Sequence, residues 1–569
     1  MESVTQYTEE ERQALLKFVT SVDDSIYAVK DIPPEIFGAL GSYFSRNPKD
    51  FRDHILDFLK GTLTEDGELP EEQRIKQRQE NLQKFLKSSY QPPGEILNAG
   101  LNKSRDFFTR WYGKYGHKSI ANVVWQGFVG MGQSQLVARQ LAFDQLAFFI
   151  EMSTRYVDFN NANWYKDPDI MASEFAALYC ETMEMLIKTY NYFIEQGKNH
   201  YKRKYPFEMW REKQTDADKQ KAEAFLTRKY DREMTAKAFD IARYCLPQAM
   251  PTNFAWILDA RSTEFDIASW KEHPLAEIRN AAAMIEKAGG QQLPSLLKHT
   301  ENNPYYGDKL HRYKGDFKQN INAAMSETNH PRPLKKAVHI TQFHPGALEL
   351  ILSHVLANNN ALSFEEAKKI IQHKTEQEKI EMLKRLVAKR SMFDEWVDPG
   401  FQMINIGVEF VSDVGAVRDL RRHQKNERCE QIYTLDMGYA EPMEMKEMAK
   451  EVQQTFRQAM EQAHEAEKKM RTQFPFQVQY ILPMATLTTL RMNMDLDQVQ
   501  YMIYTRSTPE GHPSYRQDVF NLCEAVAKIY PWILGYEKYP EHKNIFEVYK
   551  DAPMKDIVRM RTEETQLHQ

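Results

Sequence analysis

Apolar residues recur at three- and four-residue spacing, mixed with many charges, through Glu9–Val19, Pro70–Lys87, Asp218–Cys245 and Phe364–Lys389. That period puts them on one helical face, so it predicts helices over these segments. Strand-like stretches are fewer. Ala337–Phe343 (AVHITQF) and Phe401–Val411 (FQMINIGVEFV) are rich in β-branched and aromatic residues and predict strands. A break at Ser412–Gly415 then leads into the basic, helix-like AVRDLRRHQ. The same order occurs earlier, with Ile120–Val129 as strand, Gly130–Gly132 as break and Gln133–Phe148 as helix. The pattern indicates a helix-rich α+β chain rather than a dinucleotide-binding sheet. Gly127, Gly130 and Gly132 do not fit GxGxxG, and GxxxxGK[ST] is absent. Pro294–Lys335, rich in Asn, His, Pro and Gly, reads as a linker.

Two echoes in the chain indicate a duplicated domain. Tyr244-Cys-Leu-Pro247 is followed by Thr252 and Asp259, and Tyr480-Ile-Leu-Pro483 by Thr488 and Asp495. Both read Y-x-L-P-x4-T-x6-D. Upstream, Arg139 is followed twelve positions later by Glu151, and Arg418 likewise by Glu430. The echoes keep their order on either side of the linker.

The 569 residues suffice for several cores. A formal net charge of −5 argues against a whole-chain nucleic-acid or polybasic membrane binder. No apolar run of about 18 residues occurs, and the acidic, polar start MESVTQYTEEERQ is not a secretory signal. The cysteines, Cys180, Cys245, Cys429 and Cys523, form no CxxC pair, which favours a reducing, cytoplasmic setting over disulfides or a zinc knuckle. The histidines form neither HExxH nor a Cys/His cluster, so no metal site is assigned.

Two segments could carry chemistry. If Glu151-Met-Ser153-Thr-Arg155-Tyr156 is extended, Glu151, Ser153 and Arg155 share a face. They then offer a carboxylate, a hydroxyl and a guanidinium fork, a set suited to a nucleotide. A solvated strand with a structural ion pair is the other reading. Arg421-Arg422-His423-Gln424 concentrates cations that a phosphate or pyrophosphate would stabilise, or it is a solvated basic helix face. His117 could face a ligand or sit satisfied in the structure.

Gly116–Phe159 resembles the flavin-dependent thymidylate synthases. That family carries a GH-x-[ST] segment, a strand, an ARQ-like helix and the signature RHR-x-x-S-x-N-E-x-S-x-R-Y. Here the corresponding segments read GHKS, VARQ and E-M-S-T-R-Y. Downstream, ARYCLP resembles the family's R-x-x-L-P segment. The second half follows with RDLRRHQ, QYILP and MIYTRSTPEGHPSYR. The whole looks like a tandem, double-length branch of ThyX-like domains. It divides into an N-terminal extension at 1–24, a first domain at 25–293, a linker at 294–335 and a second domain at 336–569. Neither half is complete. RHR reads Phe143-Asp144-Gln145 in the first half and Arg422-His423-Gln424 in the second. Ile150 stands at the signature Asn in the first half, and S-x-R-Y is not recognisable after Glu430. Arg243 is matched by Gln479, and Trp270 by Arg506.

The resemblance implies reductive methylation of dUMP to dTMP, with 5,10-methylenetetrahydrofolate as carbon donor, FAD as hydride carrier and NADPH as its reductant. Such chemistry needs no cysteine nucleophile. By resemblance Gln140, Ser153, Arg155 and Arg243 hold the nucleotide together with Glu151. Arg506 stabilises charge at the uracil, and His117, Ser119, Arg422, His423 and Gln424 line the flavin. Glu151 and Arg506 are thus the catalytic candidates. A homodimer, equivalent to four such domains, is implied, with neither membrane nor nucleic-acid partner. The alternatives are an inactive nucleotide- or flavin-binding protein and a related enzyme acting at pyrimidine carbon 5.

Overall fold

The computed structural model describes residues 7–32, 36–37, 40–41, 44, 48–60, 71–88, 118–160, 162–214, 222–297, 300, 332–387, 398–508 and 511–533. The chain divides into two compact units. One comprises Met1–His330 with Glu465–Ile481, and the other Pro331–His464 with Leu482–Gln569. The interval expected to be a linker lies largely outside the described residues.

The first unit is built on a four-stranded antiparallel sheet in the order β1-β2-β4-β3. Its strands are β1 (Ile26–Val29), β2 (Trp125–Ser134), β3 (Phe148–Glu151) and β4 (Pro251–Asp259). Helix α1 (Gln135–Leu141) links β2 to β3, and α2 (Glu223–Ala242) precedes β4. Helices α3 (Ala260–Trp270) and α4 (Ala276–Gln292) follow β4. The edge strand β1 is buried along its whole length. Leu15, Phe18, Phe44, Phe51 and Ile55 pack with Tyr27, Val29, Val129 and Ala255, removing apolar surface from water.

The second unit repeats this plan in the order β5-β6-β8-β7. Its strands are β5 (Ala337–Gln342), β6 (Asn405–Asp413), β7 (Glu427–Glu430) and β8 (Leu487–Asp495). Helix α5 (Val414–Leu420) links β6 to β7, while α6 (Leu496–Arg506) and α7 (Pro513–Ile529) follow β8. The duplication read from the two sequence echoes is therefore a duplication of topology. The last residue of the longer echo has a structural role. Asp259 and Asp495 cap α3 and α6, their carboxylates accepting first-turn backbone N–H groups that have no partner within the helix.

Several sequence-based boundaries need correction. Gly130–Gly132 is no break: it lies inside β2, where the register against β4 shifts between Gly130 and Gln133. The shift lets Gly132 adopt φ 63, and a Cβ on Gly130 would run into the Phe254 ring. Strand β2 accordingly starts later than expected, after a 3-10 turn over Lys118–Val123, and α1 is shorter than the predicted helix. The second expected break is also absent, since Asp413 ends β6 and directly caps α5. A 3-10 turn over Pro399–Met403 precedes that strand. Phe364–Lys389 contains two helices, Phe364–Gln372 and Glu376–Val387. Thr375 interrupts the periodic pattern because its backbone N–H and hydroxyl both donate to Glu378.

In each unit a carboxylate–hydroxyl pair ties the helix after the second strand to the last helix named above. In the first, the Ser134 hydroxyl donates to Glu277 Oε2 at 2.5 Å, its N–H donates to Oε1 at 2.8 Å, and the Tyr480 hydroxyl donates to Oε2 at 3.0 Å. In the second the chemistry is exchanged: Asp413 supplies the carboxylate, Ser514 the hydroxyl, and Lys336 joins them to Asp518.

Burial pushes the Glu277 carboxyl up from 4.5 to about 7, against the lowering effect of its hydrogen bonds. Because this folded-state value is raised, the stabilising contribution is complete below the unfolded value and is lost as pH rises through about 7. At 1.36 kcal/mol per unit, the effect is about 3 kcal/mol. We expect the unfolding free energy to fall between pH 5 and pH 8 by more in the native chain than in Glu277→Gln. Denaturant titration of both at the two pH values checks this, and parallel pH dependences contradict it.

Candidate functional site

The first unit joins the segment after β3 to the end of α2 through Arg155 and Asp240. Glu151, the last residue of β3, is buried and accepts a hydrogen bond from the Thr252 hydroxyl at 3.4 Å. The strand does not continue through Ser153 and Arg155 as expected. Met152 N–H donates to the Asn253 carbonyl, and residues 154–156 form a turn, so the alternating face ends at Glu151. The Ser153 hydroxyl accepts from Arg155 N–H at 3.2 Å.

The Arg155 guanidinium engages Asp240 through Nε at 2.6 Å and Nη2 at 2.9 Å. This is the bidentate geometry a guanidinium forms with a carboxylate or phosphate. Asp240 lies on the last turn of α2, three residues before Arg243, which is buried in the following 3-10 turn. Gln140 sits half-buried on the last turn of α1. Beside it, Arg139 Nη1 donates to Gln479 Oε1 at 3.4 Å. Ser119 is exposed in its 3-10 turn, and His117 lies outside the described residues.

The second unit joins two predicted residues 83 positions apart. Arg506, the last residue of α6, donates from Nε to His423 Nε2 at 2.9 Å. His423 is 5% exposed. Burial, then the charges of Arg506 and Arg428, hold its pKa well below the ordinary histidine range. The ring is therefore neutral. Since Nε2 accepts, Nδ1 carries the proton, and that buried N–H finds no hydrogen-bond partner among the described residues. The surrounding loop is fixed: Asn426 Nδ2 donates to the His423 and Gln424 carbonyls, and Arg428 holds the Arg421 and His423 carbonyls. Lys425 holds the left-handed φ of 60, a conformation uncommon outside glycine.

Arg422 and Gln424 flank His423 and are both half-buried. Arg422 Nε stands 4.0 Å from Asp419. Glu430, the counterpart of Glu151, accepts from the Tyr433 hydroxyl at 3.1 Å and from Arg421 at 3.5 Å. Cys429 is exposed on β7, whereas Cys245 is buried and its thiol is pushed far up by desolvation. Such burial leaves little thiolate at Cys245 for nucleophilic chemistry.

Sequence reasoning missed Asp240 and Glu277. Each is an ordinary helical acid in the sequence, and its partner lies 85 or 143 residues away.

Comparison with known proteins places these elements in a family. The model described as thymidylate synthase complementing protein matches residues 72–295 and 351–532, one segment in each repeat. A UPF0159 protein of Chlamydia muridarum is 24% identical over 545 residues, covering 94% of this chain and 96% of its own. A UPF0159 protein of Thermoplasma acidophilum is 21% identical over 466 residues, covering 77% and 89%. Among solved structures, thymidylate synthase X of Helicobacter pylori with FAD and dUMP shares 12% identity, with a TM-score of 0.26 over 37% of this chain and 100% of its own. No helix among the described residues is long and apolar enough to cross a membrane. With the family model covering most of its length, in both topological repeats, the chain belongs to the thymidylate synthase complementing protein family.

Proposed function

We propose that this chain is a flavin-dependent enzyme that methylates dUMP at carbon 5, giving dTMP, with methylenetetrahydrofolate as carbon donor and NADPH as reductant. The observation that carries the reading is the His423–Arg506 pair. A buried neutral imidazole presents an unpartnered N–H beside a guanidinium on the last turn of α6. A protein stabilises an orphaned buried donor when a ligand completes it. With Arg422 and Lys425 on the same loop, this donor set fits the phosphate-bearing, hydrogen-bonding character of FAD. Bound there, the flavin would supply hydride transfer, which no side chain of this site can perform.

The chain's own residues have separable tasks. His423, Arg422 and Gln424 bind and orient the cofactor. Arg506 holds His423 in the Nδ1–H tautomer and places positive charge where the uracil ring accumulates negative charge. In the first unit, Arg155, Ser153, Gln140 and Arg243 hold the nucleotide. Glu151 accepts hydrogen bonds in a buried setting, where they strengthen.

The test is spectroscopic. Full-length protein titrated with FAD should shift the flavin absorption bands, and dUMP added afterwards should shift them again. Deoxyuridine should have a much smaller effect, because it lacks the phosphate that Arg155 recognises. A flavin spectrum indifferent to dUMP overturns the proposal.

A further inference from the structure

The two units place different chemistry at equivalent positions. Asp144 lies three residues after α1 ends and four before β3 begins, and His423 stands in the same relation to α5 and β7. Pairing on the next strand agrees. Phe148, at the start of β3, opposes Ile257, and Glu427, at the start of β7, opposes Asn493, each two residues before its capping Asp. Trp270 and Arg506 are both the last residue of an eleven-residue helix.

In the second unit the stretch Arg421–Glu430 carries four cations, Arg421, Arg422, Lys425 and Arg428, against two carboxylates. Arg506 adds a fifth cation. The matching stretch of the first unit, Ala142–Glu151, has no cation and two carboxylates. In place of the imidazole–guanidinium pair stand two acids, Asp144 and the buried Asp266 of α3, whose carboxyl is pushed well above its ordinary range by burial and then by the charge of Asp144. Where Arg506 would stand, Trp270 is buried and stacked on Trp256 at 5.8 Å. The edge beside it is apolar, with Leu146 and Phe148 more than half exposed. A phosphoanion at that place would meet two carboxyl groups and an indole, with no cationic donor within Ala142–Glu151 to replace its water.

We propose that the chain carries a single diphosphate-binding surface, on the second unit around His423, Arg422 and Arg506, and that Asp144, Asp266 and Trp270 make its first-unit counterpart reject phosphoanions. The identity of the ligand rests on the flavin reading above. The asymmetry does not, because it follows from charge and donor count alone.

Calorimetric titration of the full-length chain with inorganic pyrophosphate, at low salt and pH 7.5, tests this. The expected result is one site per chain, weakened at least tenfold by Arg506→Ala and also by Arg422→Ala, which alters a half-exposed side chain and leaves the core intact. Two sites per chain, no site, or one site indifferent to both substitutions overturns the proposal. Competition with FAD separates the two readings. One pyrophosphate site that FAD does not displace supports the asymmetry and refutes the flavin assignment.

Discussion

Arg506→Ala is expected to lower dTMP formation by about two to three orders of magnitude, the range seen when one preorganised donor to developing negative charge is removed. The loss has two sources. The first is the cation itself, which donates directly to His423. The second is His423, whose Nε2 now accepts from Arg506 at 2.9 Å. Without that donor the buried imidazole is released to either tautomer, so part of its population presents the wrong atom to the ligand. Flavin affinity should fall at least tenfold in the same variant. Arg506→Lys should recover part of the charge effect and little of the tautomer effect, because an ammonium cannot reproduce the planar Nε contact. Fluorescence titration of FAD and steady-state dTMP formation measure the two losses separately. Wild-type turnover in Arg506→Ala would remove this residue from the site.

Arg155→Ala is expected to weaken dUMP binding by about 10- to 100-fold, the equivalent of losing charge-assisted hydrogen bonds to a phosphate. It should also destabilise the first unit by about 2–3 kcal/mol, because Asp240 would keep a mostly buried carboxylate without its bidentate partner. Asp240→Asn in the Arg155→Ala background separates the effects. Removing the uncompensated charge should restore most of the stability and none of the affinity. Thermal unfolding and dUMP titration of the single and double variants form the required cycle. If the double variant regains affinity, Arg155 acts only through the ion pair and does not touch the nucleotide.

What the sequence made legible was local or repeated. Ala337–Gln342 is a strand as its β-branched and aromatic residues predict, and the helix at Glu71–Lys87 follows its apolar period. The Y-x-L-P-x4-T-x6-D echo was readable because its Asp caps a helix in both repeats, a requirement independent of ligand. The face proposed for Glu151, Ser153 and Arg155 failed because alternation requires a strand, and β3 ends at Glu151. Gly130 and Gly132 looked like a break because glycine is ambiguous in one dimension; a bulge inside β2 needs the same residues. The partners of the charged groups were out of reach. Nothing near Arg155 marks Asp240, and nothing near Ser134 marks Glu277, since sheet pairing and helix packing bring them together only in the folded chain. The family resemblance did point to His423 and Arg506, and to Asp144 as the acidic replacement in the first half, but the direct hydrogen bond between His423 and Arg506 required coordinates.

The most direct measurement of the central claim is tritium release from dUMP labelled at carbon 5. Substitution at that carbon must expel its hydrogen, whichever one-carbon donor is used. With FAD, NADPH and methylenetetrahydrofolate present, the full-length protein should release tritium to water in proportion to dTMP formed, and the release should be lost in Arg506→Ala. Complete retention of the label by a folded, flavin-bound protein would contradict the account.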